Sequence, residues 1–156
     1  MEKSWKYLLG SIQISFVILL LTSCSIPKII VLEDPLTAEE HNNLGVAYEK
    51  KGMIELAERE LKKAIKKNIT WDIPYFNLGN IYYKKGQLDE SIKFYKKAIK
   101  TNPKNSDAMN NLAYVFLKKN KCKKAYFWIK RAISIRFNEN YLDTMHQIER
   151  KCFEEY

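Results

Sequence analysis

The stretch Tyr75-Phe76-Asn77-Leu78-Gly79-Asn80-Ile81-Tyr82, followed by Gly86, Ser91, Tyr95, Ala98 and Pro103, decides the fold. Tyr75, Leu78, Gly79 and Tyr82 stand at i, i+3, i+4 and i+7, which is one face of a helix. Ser91, Tyr95 and Ala98 mark one face of a second helix, and Gly86 falls in the turn between the two. Small residues occur where the helices must approach closely (Gly79, Ser91, Ala98), and Tyr82 and Tyr95 fill the remaining gaps.

The same frame stands 34 residues earlier as Leu44, Gly45, Tyr48, Gly52, Ala57, Leu61 and Ala64. It stands 34 residues later as Leu112, Ala113, Phe116, Asn120, Ala125, Ile129 and Ala132. Three copies in register, without an insertion, signal a stacked-repeat architecture. One helix pair cannot bury its apolar face alone, so the units stack and share a continuous core. The pattern resembles the tetratricopeptide repeat from Ala38 to Glu139. Departures are Ser91 for the usual alanine, Ala113 and Asn120 for glycine, and Ile69 and Phe137 where the middle copy has Pro103. The resemblance implies an all-α, right-handed solenoid with repeats at 38–71, 72–105 and 106–139. Residues 140–156 then form a capping helix, with an apolar stripe at Tyr141, Met145, Ile148 and Cys152 and with Glu149, Arg150 and Lys151 in water. Thr37-x-x-Glu40 reads as a capping box opening the first helix, and Asp89 as the cap of the fourth.

Residues 1–23 read as an address. Lys3 and Lys6 precede a short apolar segment, Leu8 to Leu21, below the roughly 20 apolar residues that a membrane span needs. Leu21-Thr22-Ser23-Cys24 follows and resembles the bacterial lipobox. That resemblance implies cleavage before Cys24, acylation of its sulfur, and a lipidated tether over 24–37. Ser25 rather than aspartate at the next position implies the outer membrane, facing the periplasm of a bacterial cell envelope. An ordinary signal peptide or an uncleaved anchor is the competing reading.

Chemistry-bearing patterns are sparse. His41 and His146 lie on separate helices with no carboxylate or cysteine cluster nearby in sequence, and the acidic residues are dispersed. No glycine-rich phosphate loop, metal-ligand spacing or nucleophile motif is visible, so an enzyme, a cofactor and a metal are not expected. Cys122 and Cys152 begin the last paired helix and approach the end of the capping helix. In an antiparallel stack these ends meet, so they are either a bridge or two small buried thiols, and an oxidising compartment permits the bridge.

The first helix of each copy keeps a second face. By the tetratricopeptide resemblance, the concave groove is lined by Glu39, Asn42, Val46, Glu49 and Lys50; by Ile73, Phe76, Asn80, Tyr83 and Lys84; and by Asp107, Asn110, Tyr114, Leu117 and Lys118. Phe76, Tyr83, Tyr114 and Leu117 are bulk the helix pairs do not need, and apolar residues rimmed by Asn and Lys suit peptide recognition. Asn42, Asn80 and Asn110 would bond an extended backbone, while Lys50, Lys84 and Lys118 would hold a carboxylate. The alternative is that the tether or the capping helix covers part of this groove. A chaperone-type carboxylate clamp is not expected, because Asn42 and Val46 stand where that subfamily has a basic residue and asparagine.

The formal charge of +9 suits several anions. Lys62-Lys63, Lys96-Lys97 and Lys130-Arg131, each pair 34 apart, form a convex row that is either solvated or touches anionic lipid or peptidoglycan. Export removes nucleic acid as a partner. The expected function is a non-catalytic, membrane-anchored adaptor gripping a segment of another envelope protein. The alternatives are a self-associating structural lipoprotein and an accessory subunit of an envelope enzyme, and the oligomeric state is left open.

Overall fold

Hairpin follows hairpin through residues 34–153, the part of the chain that the computed structural model describes. The helices are α1 (Ala38–Lys50), α2 (Ile54–Lys67), α3 (Asp72–Lys84), α4 (Leu88–Thr101), α5 (Ser106–Lys118), α6 (Cys122–Ile135) and α7 (Glu139–Phe153). Within the hairpins α1 pairs with α2, α3 with α4 and α5 with α6; α2 packs on α3, α4 on α5, and α6 on α7. The result is an all-α solenoid. The expected signal segment 1–23, Cys24 and most of the expected tether lie outside the described residues, as do 154–156.

One turn geometry closes all three hairpins. Gly52 (φ 75°), Gly86 (φ 72°) and Asn120 (φ 55°) occupy the same left-handed position, 34 residues apart. Glycine takes this conformation freely, and asparagine is among the few side chains that tolerate it. The Met53, Gln87 and Lys121 N–H groups then donate back to the carbonyls of Tyr48, Tyr82 and Phe116 at 2.9, 2.9 and 2.8 Å. Gly52, Gly86 and Asn120 donate to Glu49, Tyr83 and Leu117, completing a Schellman motif that satisfies the last carbonyls of α1, α3 and α5.

The next helix begins at once after this turn. Thr37 and Glu40 form the expected capping box at α1. Asp89 does not cap α4, however: the cap position is Gln87, without a side-chain bond, because the turn delivers Leu88 directly into the helix. Asp89 sits in the first turn, where a negative charge favours the helix dipole, and pairs with Lys119 of the next hairpin.

Close packing within a hairpin depends on the small residues. A Cβ at Gly79 would stand 2.4 Å from the Tyr95 ring, so only glycine lets this fully buried tyrosine cross α3. Ala57, Leu61, Leu78, Ala98, Leu112, Ala125, Ile129 and Ala132 are completely buried and carry the core from one hairpin to the next.

Polar side chains join the hairpins at fixed points. Asn77 donates to Asn42 (2.9 Å) and Asn111 to Asn80 (3.0 Å), each bond linking successive first helices. Asp72 accepts from Asn102 and Asn105 at 3.0 and 2.7 Å. Glu58 accepts from Tyr82 at 2.7 Å and pairs with Lys62 and Lys85. Burial would raise the Glu58 carboxyl, but these hydrogen bonds outweigh it and hold the group at about 2. At the far end the Tyr141 hydroxyl donates to Asp107 (2.6 Å) and seats α7 on α5. The Cys122–Cys152 disulfide, with Cα atoms 5.8 Å apart, ties the end of α7 to the start of α6.

Candidate functional site

Three first helices supply the walls of a groove that includes a cavity of about 310 Å³. Glu49, Asn80, Tyr83, Lys84, Tyr95, Asn111, Tyr114 and Val115 line it. Tyr83, in the last turn of α3, and Tyr114, about one turn before the end of α5, meet edge to face with ring centroids 5.9 Å apart. Burial, and then the neighbouring Tyr114, raises the Tyr83 hydroxyl above its usual range. Tyr95 closes the floor from α4: its hydroxyl donates to Asn80 Oδ1 at 2.7 Å, and burial pushes it up to about 12.

A second recess of about 370 Å³ adjoins at Tyr114, lined also by Leu117, Lys118, Gln147, Arg150 and Lys151. The Lys118 ammonium lies 5.1 Å from the Tyr114 ring centre, and its interaction with the Tyr114 hydroxyl raises its pKa. Arg150 and Lys151 come from α7. The sequence reading left them as solvated residues of a cap, because nothing in the 34-residue frame shows where a terminal helix points its charges. The two recesses share Tyr114 as a wall, and the basic groups Lys118, Arg150 and Lys151 belong to the second of them.

The sequence-predicted groove residues divide under this geometry. Asn80, Tyr83, Lys84 and Tyr114 line the main cavity; Leu117 and Lys118 line the second recess. Asn42 does not reach either: it is buried, and its carbonyl oxygen accepts from Asn77. Asn80 Oδ1 accepts from both Tyr95 and Asn111, and Asn110 donates to Asn111 at 3.2 Å. Asn42 and Asn80 thus brace the stack through their side-chain oxygens, and Asn42 is held away from the cavity, while Asn80 remains in its lining. Phe76 packs half-buried against Tyr95, at 6.1 Å between centroids. Leu117 is only 4 % exposed, where the capping helix meets α5 and Lys151 donates to the Leu117 carbonyl at 3.4 Å. The cap therefore covers the third-repeat end of the groove and leaves Tyr83 and Tyr114 at its open part.

The lysines are also unequal. Lys84 is paired with Glu49 at 2.8 Å, a contact from α3 to α1. Lys118 contacts Tyr114 instead. His41 proves to have a carboxylate beside it: its ring Nδ1 lies 2.8 Å from Glu60 Oε2, both residues buried between α1 and α2. Burial opposes ionisation of Glu60, but hydrogen bonds from His41, Arg59 and Lys63 lower its carboxyl below the usual range. The pair is a structural tie, remote from the cavity lining. His146 lies on the outer side of α7 in a shallow polar recess with Asp143, Gln147, Glu149 and Arg150.

Residues 40–66 match a family model described as the tetratricopeptide repeat, and residues 79–120 match one described as the TPR repeat. A search among curated proteins returns no match. Among solved structures, the N-terminal domain of stress-induced protein-1 from C. elegans aligns with TM-score 0.64 and 23% identity, covering 72% of this chain and 94% of that one. The Arabidopsis OM64 TPR domain aligns with TM-score 0.70 and 17% identity, covering 73% and 95%. The first TPR of Spaghetti (RPAP3), bound to HSP90 peptide SRMEEVD, aligns with TM-score 0.70 and 15% identity, covering 73% and 91%. The two segments 40–66 and 79–120 therefore match tetratricopeptide-repeat models, and the described helical stack shares its fold with these solved repeat domains.

Proposed function

We propose that this chain is a non-catalytic adaptor whose concave trough holds an acidic segment of another protein. The observation carrying this reading is the wall that the two recesses share at Tyr114: Tyr83 and Tyr114 line one, and Tyr114 lines the other together with Lys118, Arg150 and Lys151. Aromatic walls supply rigid contact area, and the basic end supplies charge complementarity for carboxylates. The peptide held by the Spaghetti repeat domain carries two glutamates and an aspartate, so the fold has accommodated a ligand of this chemistry. Peptide display against the full chain tests the reading. Enriched peptides should be acidic at one end, and binding should fall with Y83A, Y114A and K118E but not with K66E on α2. Enriched peptides that bind all four variants equally would place recognition elsewhere.

The adaptor, on this proposal, is anchored through acyl chains on Cys24 and works at a bacterial cell envelope, at the outer membrane and facing the periplasm. The support is the Leu21-Thr22-Ser23-Cys24 sequence after a short apolar segment. Metabolic labelling with a fatty-acid analogue should mark the wild-type chain and not C24S; equal labelling of both would remove the anchor from the proposal.

A further inference from the structure

Away from the groove, α6 differs from the other second helices in its charge. Its sequence, Cys122 to Ile135, contains Lys123, Lys124, Lys130 and Arg131 and no acidic residue. On α2, by contrast, Glu58 takes Lys62 and Glu60 takes Lys63, and on α4 Glu90 takes Lys93. The row read from the sequence is therefore partly neutralised at Lys62 and Lys63, and α6, among the second helices, carries basic residues without any acidic one.

Aromatic side chains sit among those cations. Phe127 is 56 % exposed and stands edge-on to Trp128, with centroids 5.1 Å apart. Lys130 lies over the Tyr126 ring at 5.4 Å and Arg131 over Trp128 at 5.7 Å. Lys123, Phe127, Lys130, Arg131 and Ser134 follow the spacing of one helix stripe and, with Tyr126, line a broad shallow depression. Long basic side chains resting on aromatic rings place their charges around an apolar tip, an arrangement suited to the boundary between water and hydrocarbon.

We infer that this face of α6 docks on an anionic phospholipid bilayer, with Phe127 entering the headgroup region and Lys123, Lys130 and Arg131 contacting lipid phosphates. Charge alone would equally fit a soluble polyanion. Such a ligand would leave Phe127 in water, whereas a bilayer takes both the charge and the ring.

The experiment uses the full chain with W5F and W71F, so that Trp128 is the only tryptophan. Vesicles of phosphatidylglycerol or phosphatidylcholine carry a small fraction of lipid with a nitroxide quencher on the headgroup, and Trp128 falls within its range because its ring centre lies 5.1 Å from that of Phe127. Quenching reports contact at Trp128 itself, so membrane attachment through residues 1–33 does not imitate the result. Trp128 should be quenched in phosphatidylglycerol and not in phosphatidylcholine. K123E/K130E should raise the lipid concentration for half-quenching at least about tenfold, and F127S should weaken quenching without changing charge. Circular dichroism verifies that both variants keep their helices. Equal quenching in the two lipids, none in either, or no effect of K123E/K130E or of F127S overturns the proposal. A concentration-dependent Trp128 shift without vesicles would assign the face to a second copy of the chain and overturn it as well.

Discussion

Lys84 of α3 is bound to Glu49 of α1 at 2.8 Å, so one wall of the candidate groove already holds an internal carboxylate at its basic group. An incoming acidic segment must compete with Glu49 or bind beyond it. Glu49 is mostly covered in this pair but Lys84 is about half exposed, so solvent reaches the ammonium and an incoming carboxylate can compete for it. E49Q should therefore tighten binding of a display-selected acidic peptide about two- to fivefold, measured by calorimetry. Unchanged or weaker binding would show that Lys84 takes no part in recognition.

Gly79 should not accept even one added methyl group. The new Cβ would meet the Tyr95 ring at 2.4 Å, and that ring is buried and hydrogen-bonded to Asn80. G79A should cost about 1–3 kcal/mol in urea unfolding. A wild-type midpoint in G79A would mean that α3 and α4 separate without penalty.

Acid should weaken the joint between the first two hairpins. The Glu58 carboxyl is lowered from 4.5 to about 2 in the folded chain, so between those values the unfolded chain binds more protons. Its contribution is complete above about pH 4.5 and is lost as pH falls toward 2, up to about 3 kcal/mol in all. E58Q should flatten the stability profile across that window while lowering stability at neutral pH. Parallel profiles for wild type and E58Q would contradict the assignment.

Reduction of Cys122–Cys152 should act locally. The bridge closes a loop with a sequence separation of 30, for which chain entropy predicts roughly 3–4 kcal/mol. Hydrogen exchange in dithiothreitol should accelerate at α7 and leave α1 to α4 protected. Uniform acceleration along the chain would make the bridge a global staple instead.

What the sequence disclosed was set by local geometry. The recurrence of Gly52, Gly86 and Asn120 placed the turns that close the three hairpins. Asp89 was misread as a cap because a Schellman turn leaves no room for a separate capping residue before α4. Long-range pairings were illegible: no spacing rule joins Asn42 to Asn77 or His41 to Glu60. Leu117 looked available because its burial comes from α7, which lies outside the repeat frame. For the same reason Arg150 and Lys151 went unrecognised at the groove.

The Asn77–Asn42 and Asn111–Asn80 bonds have a consequence for selectivity. By locking each first helix to the next, they fix the interval between phenols and ammoniums before any guest arrives. A ligand's main chain finds these amide oxygens already occupied. The trough should thus behave as a ruler, ranking guests by the distance from an aromatic or aliphatic foot to an acidic one and tolerating wide variation between.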